Sequence, residues 1–236
     1  MDKSKILLFI VEGPSDEAAL APALEEIVRS SNVKFKVMHA DITCDYDSTV
    51  DNIEKRIKKL AVKRFLNENP QFSEKDICGL VHIVDLDGAF APDGVVTQDD
   101  NALCNLYYDD SIICKDKEKY LQTKHNKAQN LIHLAALKEI SIPNGVRVPY
   151  SIYFMSCNLD HVLHDKRNST REEKKENSLK FSDEYDDPQL FEEFFNQEGV
   201  KVVGTYEETW RYIQQDYNSL LKGSNLWICI DEHKQI

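Results

Sequence analysis

Three carboxylates are marked out by where they fall. The stretch VHIVDLDGAF (residues 81–90) carries an apolar run into Asp85 and Asp87 with Gly88 behind them, and ILLFIV (6–11) runs into Glu12 and Gly13. Residues i and i+2 of a strand point to the same side, so Asp85 and Asp87 are expected to converge on one cation. Held that close without a counter-charge, they would resist joint ionisation. A magnesium or manganese ion removes that penalty, because it prefers hard oxygen ligands and keeps waters that a phosphate can displace. Glu12 then serves as a further ligand or as the group that handles a proton. A plain turn at Gly88 needs only one aspartate and leaves Glu12 unexplained.

The elements around these residues read as an α/β protein. KILLFIV (5–11) is a strand covered on both faces. A helix follows, with Ser15 as its expected N-cap, Asp16 and Glu17 suited to its positive end, and Leu20, Leu24, Ile27 and Val28 on one face. VKFKVMHA (33–40) alternates as a second strand, the 48–70 segment has helical spacing, and DICGLVHIVDLDG (76–88) is a third strand. The order β-α-β-α-β implies a Rossmann-like parallel sheet with helices on both faces, whose ligands sit at the carboxyl ends of the strands. Glu12 and the Asp85/Asp87 pair both fall there.

Beyond residue 88 an irregular flap (89–123) is expected, then a helix (124–140), a fourth strand (148–156) and a helix capped by Asn158. Residues 165–187 hold 14 charged residues of both signs in 23 positions and read as an exposed insertion. The remainder (188–236) completes the core of residues 1–164. It contains a short helix, a strand at VKVVG, a helix over 206–223 and a closing strand at NLWICI.

Composition narrows the classes. The chain has 236 residues and a formal charge of −12, and no apolar run approaches the ~20 residues needed to span a bilayer. The first apolar stretch runs directly into Glu12 with no small-residue cleavage site, unlike a secretion signal. Six scattered cysteines without a Cys-x-x-Cys pair argue against a zinc ribbon and a disulfide framework, so a cytoplasmic protein is expected. Phosphate binding depends on clustered Lys and Arg, which an acidic chain must concentrate somewhere. The run EKRIKKLAVKR (54–64) is its strongest basic stretch, making Lys58, Lys59 and Lys63 the expected nucleic-acid contacts.

The pairing of LLFIVEGPSDEAAL with VHIVDLDG resembles the TOPRIM domain of topoisomerases, primases and small nucleases. That resemblance implies Glu12 as catalytic glutamate, Gly13 as a tight-turn glycine, and Asp85 and Asp87 as magnesium ligands. A further aspartate of the gyrase-type motif is Ile83 here, which implies a thinner metal site. VEGPSDE is most similar to the overcoming-lysogenization-defect and RloB-like nucleases, which are associated with phage defence. By that analogy Asp160 in SCNLDHVLH takes the place of a glutamate. The chain lacks the zinc-ribbon cysteines of primases and is too short for strand passage. A small Mg2+- or Mn2+-dependent nuclease is therefore implied, with nucleic acid and a possible protein subunit as partners and no membrane.

Two alternatives stay open. IVDLDGAF also resembles the first motif of haloacid dehalogenase-like phosphatases, in which the first aspartate is the nucleophile. That motif normally opens the fold, whereas two βα units precede it here, and Ala89 lacks the usual hydroxyl. A non-catalytic TOPRIM-like binding subunit is the other alternative. Asp16 is either a helix-end charge or an outer group near Glu12. Asp160 and His161 are candidate supports of the metal site, although His161 and His164 flank apolar residues on a helix and also suit a structural role.

Overall fold

The computed structural model describes residues 5–28, 32–38 and 41–234. β1 (Ile6–Val11) is buried throughout and leads into α1 (Pro14–Ile27), followed by β2 (Asn32–Val37). His39 and Ala40, the end of the expected second strand, lie outside the described residues. The helix expected over 48–70 begins as α2 (Ile53–Ile57), continues through a π-helical stretch (Lys58–Val62) and ends as α3 (Lys63–Glu68). β3 (Ile77–Asp85) precedes three short strands, β4 (Val96–Gln98), β5 (Leu106–Tyr107) and β6 (Ile112–Cys114). Then come α4 (Lys117–Ala136), β7 (Glu139–Ser141), β8 (Arg147–Ser156), α5 (Leu159–His164) and α6 (Arg171–Glu184). The chain finishes with α7 (Pro188–Asn196), α8 (Tyr206–Tyr212), β9 (Gly223–Ser224) and α9 (Leu226–His233).

The main sheet runs β2-β1-β3-β8-β7, with β9 also paired to β8. β2, β1, β3 and β8 are mutually parallel, while β7 and β9 are antiparallel to β8. The protein is thus mixed α/β with a mostly parallel sheet flanked by helices. Alternation along the strands divides the core in two. Ile6, Leu8, Ile10, Val84, Ile152 and Phe154 pack toward α2, α3, α4 and α8. Leu7, Phe9, Val11, Val81, Ile83 and Tyr153 pack toward α1, α5, α6, α7 and α9. No helix among the described residues is long and apolar enough to cross a membrane.

Several elements differ from the sequence reading. The expected flap (89–123) contains a second sheet, ordered β4-β6-β5, and the first turns of α4, which starts at Lys117 behind the Asp116 cap. This small sheet is fastened to the α5–α6 loop. Asn168 bonds both backbone groups of Tyr107, and Arg167 pairs with Asp109. The charged 165–187 segment contains α6, which packs on α1 and buries Phe181 to 1% exposure. NLWICI is the start of α9 rather than a strand; Leu226, Ile228, Cys229 and Ile230 are buried on it. VKVVG contributes one isolated bridge at Lys201, and the helix expected over 206–223 stops at Tyr212.

Candidate metal centre

The strand ends gather the acidic residues. β1 and β3 are parallel neighbours, as the strand-end argument requires, and the Glu12 Oε1 accepts a hydrogen bond from the Asp85 N–H at 3.2 Å. Asp41, shortly beyond β2, joins them. One carboxylate oxygen each from Glu12, Asp41 and Asp87 lie within 4.8 Å of one another. Three adjacent strands therefore each send one carboxylate to one place. An all-oxygen set of this kind fits a hard divalent ion.

Asp85 and Asp87 do not converge as alternation would have them. Asp85 continues the side of Val81 and Ile83, where its Oδ1 accepts from the Leu159 N–H at 2.9 Å at the start of α5. Asp87 lies past the strand end with φ +48°, a left-handed turn that breaks the alternation. The turn sends its carboxylate to Lys127 of α4, on the opposite face of the sheet. Gly88 follows at φ +65°, where a Cβ would come within 2.7 Å of Leu220, so this turn requires glycine. Gly13 is different. Its backbone is extended and a Cβ there would make only ordinary contacts, so the tight-turn role implied for it is not needed.

Lys127 is the unexpected member. It is 2% exposed, and its Nζ lies 2.6 Å from Asp87 Oδ2 and 2.6 Å from Asp41 Oδ2. The contact to Asp87 is an aligned hydrogen bond, whereas that to Asp41 is an ion pair outside hydrogen-bonding geometry. Asp41 is held on its other oxygen by the Thr43 N–H at 2.7 Å and the Thr43 hydroxyl at 2.5 Å. Burial opposes charge on both partners. Even so, Lys127 and Thr43 hold the Asp41 pKa below the ordinary aspartate value, and Asp41, Asp87 and Glu12 hold Lys127 well above the ordinary lysine value. Among the described residues, Glu12 has no such partner in direct contact. Burial, with Asp41 and Asp85 nearby, pushes its pKa well above the glutamate range despite Lys127. Asp85 is likewise raised by burial, Asp16 and Asp87.

Glu12, Asp41 and Asp85 open onto a cleft of about 1090 Å3 between α1 and α6, whereas Asp87, turned toward Lys127, does not line it. Glu12, Asp16, Asp41 and Asp85 line one side, and Arg171, Lys174 and Lys175 of α6 line the other. Burial opposes the charge on Lys174, but Asp85, Asp160, Asp87 and Asp16 keep its pKa above the usual lysine value. Gly13, not Ser15, is the N-cap of α1; Asp16 in the first turn accepts from the Gly13 N–H at 2.8 Å, and burial raises its pKa to about 6. Asp160 and His161 do not line this cleft. Asp160 accepts from Asn177 and so ties α5 to α6. His161 is buried with its pKa lowered to about 4 by burial and by Arg167. Lys58, Lys59 and Lys63 do not border the cleft either.

Comparison with protein-family models, with curated proteins and with solved structures gives no match to this chain.

Two of the central residues escaped the sequence reading although each carried a signal. Asp41 directly follows the expected second strand, so the logic that selected Glu12 and Asp85 applies to it equally. Lys127 sits in the buried stripe of α4 (Tyr120, Lys124, Lys127, Leu131, Leu134), where a lysine requires a buried partner.

Proposed function

We propose that the cleft is a TOPRIM-like, Mg2+- or Mn2+-dependent nuclease site that cleaves phosphodiester bonds. The observation that carries this reading is the meeting of Glu12, Asp41 and Asp87 from three adjacent parallel strand ends, beside a cleft in which Glu12 and Asp41 face the cationic side chains of α6. Substrate phosphates are then drawn toward an otherwise acidic site by Arg171, Lys174 and Lys175. Glu12, Asp41 and Asp87 would hold a divalent ion, which would supply Lewis acidity at a phosphoryl oxygen and a nucleophile at neutral pH. Asp85 fixes Glu12 through its N–H and positions α5 through its carboxylate.

The phosphatase alternative needs Asp85 as an ionised nucleophile. The Leu159 N–H already occupies Oδ1, and burial favours the protonated acid, both of which weigh against it.

The test is incubation of labelled single- and double-stranded DNA and RNA with the full chain. Cleavage is expected with Mg2+ or Mn2+, to disappear with chelator and in Asp87→Asn. Metal-dependent binding without cleavage would favour the binding-subunit reading, and robust hydrolysis of small phosphomonoesters would favour the phosphatase.

A further inference from the structure

We infer that Lys127 permanently fills one of two cation positions in the carboxylate cluster, so that the centre takes one divalent ion per chain. This rests on the metal reading above and specifies its stoichiometry. Hydrolytic two-metal centres place ions about 3.5–4 Å apart, bridged by carboxylates from different elements. Here the bridge between Asp41 and Asp87 is an ammonium, 2.6 Å from each, reaching across the end of the strand that carries Glu12.

Neighbours on the same helix hold this arrangement in place. The Tyr120 hydroxyl donates to the Asp87 carbonyl at 3.1 Å. Asn130 donates to the Thr43 and Ser48 carbonyls and so pins the loop that carries Asp41. Neither aspartate is therefore free to move away and admit a metal in place of the lysine. Glu12, the member of the trio without a direct cation partner among the described residues, is then the primary ligand.

The test counts Mn2+ bound to the full chain by equilibrium dialysis with electron paramagnetic resonance. Wild type is expected to bind one Mn2+, Lys127→Arg one, and folded Lys127→Gln two. Two ions in wild type, or a folded Lys127→Gln that still binds one, would overturn the inference and leave the metal reading standing. No bound Mn2+ in wild type would overturn both. A wild-type count of two overturns the inference even where Lys127→Gln fails to fold.

Discussion

Two lysines approach the same strand ends from opposite faces of the sheet, and they do different work. Lys127 on α4 is sealed from solvent and in direct contact with two carboxylates. Lys174 on α6 is half-buried and acts on Asp85, Asp160, Asp87 and Asp16 across the cleft without a direct ion pair among the described residues. The first is a component of the acidic centre, while the second is a charge left available at its mouth. A buried ammonium with satisfied partners organises a site, whereas one facing a cleft is placed to meet an incoming anion.

The comparison is broken most directly through stability. Lys127→Met leaves the half-buried Asp41 and Asp87 without their cation and is expected to cost about 2–3 kcal/mol in denaturant unfolding, below the full penalty of a buried pair because Asp87 is 29% exposed. Lys174→Met should cost under about 0.5 kcal/mol, as for other surface changes. Equal losses would erase the distinction between the two lysines.

Binding sharpens it next. Reversing Arg171, Lys174 and Lys175 to glutamate should weaken nucleic-acid binding at least about tenfold at low salt, independent of sequence, with a shallower salt dependence. Reversing Lys58, Lys59 and Lys63, which lie off the cleft, should change it much less. The opposite ranking in a fluorescence-anisotropy titration would return the phosphate track to the 54–64 helix.

A smaller effect has a definite pH dependence. The raised pKa of Glu12 means that the folded chain takes up this proton before the unfolded chain does, so ionised Glu12 opposes folding at high pH. Without metal, Glu12→Gln should be stabilised by about 1 kcal/mol at pH 8. That advantage should shrink as pH falls and vanish below the ordinary value of 4.5, where Glu12 is protonated in both states. A gain that persists at low pH would place its origin elsewhere.

The parallel sheet and the strand-end placement of Glu12 and Asp85 were legible because continuous apolar runs and strand-end carboxylates have direct physical meaning. The side-chain directions at Asp85 and Asp87 were not, since one left-handed residue beyond the strand end overrides alternation. α6 read as a solvated insertion because its buried contacts use Asn177 and Ser178 alongside a single large apolar residue, Phe181. NLWICI was ambiguous because a six-residue apolar run carries no period long enough to separate strand from helix.

Thermal melting of wild type and Glu12→Gln with and without Mg2+ or Mn2+ tests the proposed divalent site most directly. Without metal the variant is expected to melt above wild type. At a hundredfold excess over Kd, metal should add about 2.7 kcal/mol to wild type, several degrees in Tm, and little to the variant. A wild type indifferent to metal, or a variant that gains as much as wild type, would contradict the account.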